Sequence, residues 1–529
     1  MESIKLIGRN GEEVRKAIEM AEIIHLDTAS EEITDEFLIF AIQRGLLEKW
    51  GEGFVDPREN AEIGMKIILA ANIAARFAGI YSMSKTGYTG YMLRSARVLG
   101  ELGYSVEVIE PGNGISRRGT EDGQILSADV QRKILVKMEE KVEVTAEMKG
   151  QEVKDTRVGK VRKRDSRRGV KKEIDELDAQ ARRRVVGQQL VGWYNNSIGV
   201  TILEYADVGK GRRIHILDCT KLEVALESGH YECSGVVKND EGSLERGYKL
   251  ATLRTLLDNA GLFTQMAISG IEVHDLELSR PMLTTSSVLR AGDLLLEDRG
   301  FLDGQIISLL KTNKGVDVIV PLRSNMVAFD EGVKLAEMAQ LWQVHPTRSE
   351  QQIALVKGVH HVWDTCNVAL NACVIGFWDT KKNKHGYIVL VTTDLSFNAK
   401  WIVLHYQQRP EIEQDYEQMK SGGWKLQKFS TTRYSEIVFY LLTVLLSYSL
   451  YHLFANTQAG SRFANKTRQA IELEQLCTHR THVIVYAGGY FEIFETLSFL
   501  HIVLQMSTFA QDRLRVWLSD HLTRVQKRE

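Results

Sequence analysis

Proline is scarce in this chain, six in 529 residues, and long Pro-rich spacers are excluded. Cysteine is scarce too, and odd in number: Cys219, Cys233, Cys366, Cys373 and Cys477 lie scattered along the sequence. No disulfide framework is expected from them, and a reducing cytosol fits best. The opening MESIKLIGRNGEEV lacks a signal-peptide pattern, so a cytoplasmic location is expected. Neither H-E-x-x-H nor G-x-S-x-G occurs. Gly209-Lys210-Gly211 lacks Walker spacing and reads as a hairpin turn. His360, His361, Cys366 and Cys373 fit no common zinc spacing. A global excess of positive charge is absent, the net being −2, which speaks mildly against nucleic acid as a partner. The 18-residue run Ile437–Phe454 is apolar and free of Asp, Glu, Lys and Arg. Its length suits a membrane span. Thr443, Ser447, Ser449, His452 and three tyrosines dilute it, and no second span of that quality is clear. A buried helix is expected there, and no membrane partner.

What is present is ordinary for a soluble globular protein, 44% hydrophobic and 26% charged, with length for three or four domains. Positive charge is concentrated locally. Lys154–Lys172 holds ten Lys or Arg against two Asp. Arg162, Lys163, Arg164, Arg167 and Arg168 form its centre. Such a run can neutralise backbone phosphates, or it can be a solvated linker; basic linkers often order on nucleic acid.

The most informative stretch is HYQQRPEIEQDYEQMK, His405–Lys420. Tyr406, Arg409, Glu413 and Lys420 stand three, four and seven residues apart, spacings that return to one stripe of a helix. Pro410 is tolerated only in a first turn, so the helix should begin near Gln408 or Arg409, with Tyr406 just before it. Ile412, Tyr416 and Met419 form a separate apolar edge able to pack on a sheet. A solvated helix with internal ion pairs would explain the stripe equally well. Two further acids favour a site. RIHILD ends a β-like run at Asp218, and DLLLED ends another at Asp298. Carboxylates at the ends of buried strands, joined by Glu413 from a helix, make an oxygen-rich site for hard divalent cations such as Mg²⁺. Two such ions can stabilise both oxygens of an in-line phosphoryl displacement. Arg409 and Lys420 beside them would bind phosphate.

The Y-x-x-R-x-x-x-E-x-x-x-x-x-x-K pattern, with HILDCT and DRGF before it, resembles the DDE transposases of bacterial insertion-sequence family four. The resemblance covers about Trp193–Phe454. It implies an α/β, ribonuclease-H-like mixed-sheet core with Asp218, Asp298 and Glu413 as ligands of two Mg²⁺ or Mn²⁺ ions. It also implies a β-rich insertion that covers the active site and holds the transposon end, and an apolar segment after the glutamate helix packed under the sheet. Trp363 and Trp378, which lie in that insertion, are candidates to stack on an extruded base; core positions are the alternative.

The expected organisation is a helical N-terminal domain over residues 1–125 for DNA-end binding or dimerisation, then a helix and basic linker over 126–192. The core occupies 193–323 and 401–460, interrupted by the insertion over 324–400, and a helical region over 461–529 closes the chain. VTILEY (Val200–Tyr205) is expected as a strand, and a helical stretch from Ile271 to Arg290 should break at Pro281. The function expected is a DNA transposase that frees a 3′-OH at the element's ends and joins it to target DNA. Its partners would be double-stranded DNA and a second copy of the chain. A metal-dependent nuclease without strand transfer and a non-catalytic DNA-binding or membrane-associated protein are the alternatives.

Overall fold

A computed structural model describes residues 2–6, 10–20, 25–29, 31–59, 61, 63–77, 79–81, 96–108, 128–145, 167–206, 211–227, 231–239, 241–257, 260–340, 342–380, 383–463, 466, 470, 482–487, 490–509, 511–512 and 515–516. The chain forms two compact units, one of Met1–Leu190 with Glu417–Glu529, the other of Val191–Tyr416.

The N-terminal segment is mixed rather than helical throughout. Between its helices run β1 (Glu2–Leu6), β2 (His25–Ala29) and β3 (Tyr104–Val108), with β1 and β3 parallel. The helix Gly11–Glu19 is capped by Asn10, whose Oδ1 accepts from the Glu13 N–H at 3.2 Å, satisfying one of the amides left open at a helix start. Helix Met65–Phe77 is buried on nearly all sides.

The second unit is built on one sheet. Its strands are β4 (Ile214–Val224), β5 (Gly235–Lys238), β6 (Leu244–Leu257), β7 (Ala260–Gly270), β8 (Leu294–Glu297), β9 (Asp317–Pro321), β10 (Gln343–Val344), β11 (Gln352–Lys357), β12 (Asn371–Asp379) and β13 (Lys384–Thr392). The order is β10-β11-β12-β13-β9-β8-β4-β6-β5, with β7 also on β6. β4, β8 and β9 run parallel; all other neighbours are antiparallel. Leu294, Leu295 and Leu296 of β8 are fully buried, as a short strand between two parallel neighbours must be. Each such leucine contributes on the order of 1.5–3 kcal/mol by leaving water. Leu217, Leu253 and Leu295 point to one face, where they join Met282, Leu283, Phe301 and Ile307 in a single core.

The stretch 324–400 holds β10 to β13 and the helix Val327–Ala339. Its strands do not form a sheet of their own; β13 pairs with β9 and carries the core sheet onward. The expected strand at Val200–Tyr205 is a helix, Gly199–Tyr205, continuing Arg167–Trp193 through a π-helical turn at Tyr194–Ile198. Packing overrides the β preference of Val200 and Thr201: Gly199 lies so close to the Thr264 carbonyl that any side chain there would overlap it. The wide turn aims Asn195 at β7, where its amide pairs with both the N–H and the C=O of Met266, at 2.8 and 2.9 Å. Pro281 sits inside the helix Asp275–Thr284 without ending it. Gly209 and Lys210 of the expected turn lie outside the described residues.

In the C-terminal segment, β14 (His482–Ala487) and β15 (Tyr490–Glu495) form a hairpin, and β14 also pairs with β2. The region 461–529 is therefore not purely helical. Val14 and Ile18 from the N-terminal side share a core with Val485, Phe494 and Phe499. Helix Tyr434–Ala455 packs within its own unit on Met65–Phe77, with Tyr451 against Phe77 at 6.1 Å. Among the described residues it alone is long and apolar enough to cross a membrane, and 94% of that window is buried inside the protein. An all-round apolar helix belongs in an interior.

Candidate active site

Asp218 does not end its strand, as the sequence pattern suggests; β4 runs on to Val224. What ends there is its parallel partner. Leu217 pairs with Glu297, the last residue of β8, so Asp218 and Asp298 stand side by side where the sheet opens. Alternation along each strand puts both on the face opposite Leu217 and Leu295. Asp298 then turns the chain into the short 3₁₀ segment Arg299–Phe301.

The motif residues come from three pieces rather than one helix. Tyr406 ends the helix Ala399–Tyr406, Arg409 lies in a turn, and Glu413 is in the first turn of Glu411–Ser421. Pro410 immediately precedes that helix, where its missing N–H is no loss. Ile412, Tyr416 and Met419 are buried, the apolar edge expected of them. Lys420 lies on the same helix, seven positions after Glu413, half-buried.

All three carboxylates meet at one guanidinium. Arg409 Nη2 is 3.0 Å from Asp218 Oδ1 and 3.6 Å from Asp298 Oδ2, while Nη1 pairs with Glu413 Oε1. The two aspartate oxygens are thus no farther apart than those two arms through Nη2 allow. Burial, opposed by Arg409 and by the Cys219 N–H on Oδ1 at 2.9 Å, pushes the Asp218 carboxyl up to about 6; Glu413 and Asp298 push the same way. Burial works against the Arg409 charge, but Asp218, Asp298 and Glu413 more than offset it and hold the pKa above its ordinary value. Burial, with Asp298 next, raises the Tyr406 phenol, which stays protonated.

Residues 209–450 match the sequence family described as the transposase DDE domain. The chain carries a transposase DDE domain. No curated protein matches it. The family is one of metal-dependent DNA-cleaving enzymes. The donor chemistry of the DDE domain suits such ions: hard, anionic oxygens, with Asp298 and Glu413 half-exposed and free to re-aim. Among the described residues no group of three His, Cys, Asp or Glu side chains already stands at metal-ligating spacing. The Arg409 guanidinium, in contact with all three carboxylates, is the local cation.

The other sequence candidates lie elsewhere or outside the description. Trp363 packs partly against the core, whereas Trp378 is 50% exposed on β12, edge-on to His385 at 5.0 Å. Arg162, Lys163 and Arg164 lie outside the described residues. Arg167 and Arg168 open the helix Arg167–Trp193, and their side chains are outside the description. Cys366 and Cys373 are buried and bond separately, to the Val368 and Ala399 carbonyls.

Sequence reasoning missed what seats the glutamate helix. Tyr416 hydroxyl bonds Thr252 Oγ1 at 2.6 Å and donates to the Asp218 carbonyl at 3.0 Å. Arg254 of β6, 3% exposed, pairs with Asp415 and, at 3.1 Å, with Glu411. The only signal was a lone arginine in the otherwise uncharged second half of β6, ATLRTLL.

Proposed function

We propose that the chain is a DNA transposase of the insertion-sequence type, cutting at its element's ends and joining the freed 3′-OH to target DNA. The observation that carries this is the convergence of Asp218, Asp298 and Glu413 on one cationic group where β8 ends beside the middle of β4, within a DDE domain. The order β7-β6-β4-β8-β9, antiparallel then parallel, supports a ribonuclease-H-like core. The four-residue spacing of Tyr406, Arg409, Glu413 and Lys420 supports membership of insertion-sequence family four.

In this reading Asp218, Asp298 and Glu413 hold two Mg²⁺ or Mn²⁺ ions. Bound there, the ions supply Lewis acidity at the scissile phosphate and favour ionisation of the attacking water or hydroxyl. Asp218, anchored by the Cys219 N–H, sets the fixed side of the site. Glu413, on the helix, closes it. Arg409 leaves the carboxylates for a backbone phosphate, two of whose oxygens its planar fork bonds at once. Lys420 binds an adjoining phosphate, and Tyr406, un-ionised, donates its hydroxyl. No side chain attacks, so no covalent enzyme intermediate forms. Cutting two ends in concert calls for two copies of the chain on double-stranded DNA, within the bacterial cytoplasm.

The test is Asp298→Asn. It should abolish Mg²⁺-dependent cleavage of a plasmid carrying the coding sequence and its flanking DNA, while gel-shift affinity for that DNA stays near wild type. Phosphate contacts come from other side chains. Cleavage that persists in Asp298→Asn, or cleavage by wild type in EDTA, would sink the reading. Sequencing of the products separates strand transfer from simple nucleolysis.

A further inference from the structure

We infer that Arg254 is a positioning residue for Glu413: with Asp415 and Glu411 it clamps the glutamate helix to the sheet and sets where the third carboxylate stands. The inference rests on the site reading just given.

Glu413 has little to hold it. Its side chain is 58% exposed, and Arg409, with which it pairs, must leave when an ion enters. The helix must therefore be held from its other side. Glu411 and Asp415 are four apart and share a helical face, with Glu413 between them pointing away. Both reach Arg254, which pairs in register with Ile216 on β4, two residues before Asp218. Thus Asp218 and the Arg254 anchor sit on adjacent strands of one rigid sheet, and the helix is pinned to both. The site for the guanidinium is built: Arg254 is 3% exposed, and a Cβ on Gly261 of the neighbouring β7 would overlap it. A buried ion pair of this kind adds little net stability over an apolar substitute, so its retention suits a geometric role.

The full-length chain tests this with Arg254→Met/Asp415→Asn, which removes both buried charges together. Expected are a melting temperature within a few degrees of wild type, unchanged affinity for the flanking-DNA plasmid in EDTA, and Mn²⁺ affinity by electron paramagnetic resonance lowered about tenfold. Cleavage at saturating DNA should fall about tenfold, as for other supporting partners of metal ligands. A folded double variant with wild-type Mn²⁺ affinity and cleavage overturns the inference. If that variant does not fold, Arg254→Lys decides: it keeps the charge but cannot span both acids, and an unchanged Mn²⁺ affinity overturns the clamp. Glu413→Gln and Asp218→Asn run alongside. If these cut normally the site reading itself fails, and the clamp with it; if they are dead while both Arg254 variants cut normally, only the clamp fails.

Discussion

Asp218→Asn should stabilise the metal-free protein at neutral pH. Burial raises the Asp218 carboxyl from 3.8 to about 6, so the folded chain holds that proton more tightly than the unfolded chain does. The sign follows from linkage: below about pH 4 both states are protonated and the group costs nothing. The penalty grows as pH rises toward 6 and is complete above it. Two units at about 1.36 kcal/mol each make roughly 3 kcal/mol at pH 7.5. Asparagine carries no charge and keeps an oxygen for the Cys219 N–H, while Arg409 retains Asp298 and Glu413. In a unit of this size about 1 kcal/mol moves the melting temperature by 2–4 °C, so a rise of up to about 10 °C is expected in EDTA at pH 7.5. The gap should close as pH falls from about 6 to 4. Adding Mg²⁺ should stabilise wild type at pH 7.5 far more than the variant. A variant less stable than wild type at pH 7.5, or one whose difference does not change with pH, would refute the account of the site as stored electrostatic strain.

Arg409→Ala should bind Mn²⁺ about tenfold more tightly, within the range typical of coupled sites, because it removes the cation that occupies the carboxylates; its DNA cleavage should fall. Weaker Mn²⁺ binding would mean that Arg409 organises the acids rather than competing for them. Replacing Arg162, Lys163, Arg164, Arg167 and Arg168 with neutral residues should weaken DNA binding and lower the log–log salt slope by about 0.9 for each lost phosphate contact. An unchanged slope would make that run a solvated linker. Lys420→Ala should reduce cleavage and DNA affinity with a melting temperature near wild type. If only the melting temperature moves, by a change worth about 0.5 kcal/mol, Lys420 is an intrahelical ion-pair partner instead.

Much of the candidate site was legible before any fold was known, because its chemistry is local. HILD and LLLED announce acids beside buried strands, since apolar runs of that length have few other uses. The motif at His405–Lys420 marks a cation beside a carboxylate through spacing alone. Helix Tyr434–Ala455 was readable as interior for the same reason: an uncharged 18-residue run diluted by hydroxyls suits a protein core. Periodicity could not say that the four motif residues belong to two helices and a turn, because Pro410 permits either a first turn or a break. Nor could it show that Asp218 lies mid-strand: the opening there is made by the end of β8, some 80 residues away, and pairing is a property of two strands. The strands at residues 2–6, 25–29 and 104–108 escaped notice because each is short and gains its partner from distant chain, β14 in the case of β2. Arg254 is the plainest example. In ATLRTLL it looks like a misplaced charge, and only the folded chain supplies Asp415, Glu411 and the open space at Gly261 that make its burial tolerable. Local pattern thus singled out the candidate residues, while long-range pairing and packing decided where each of them stands.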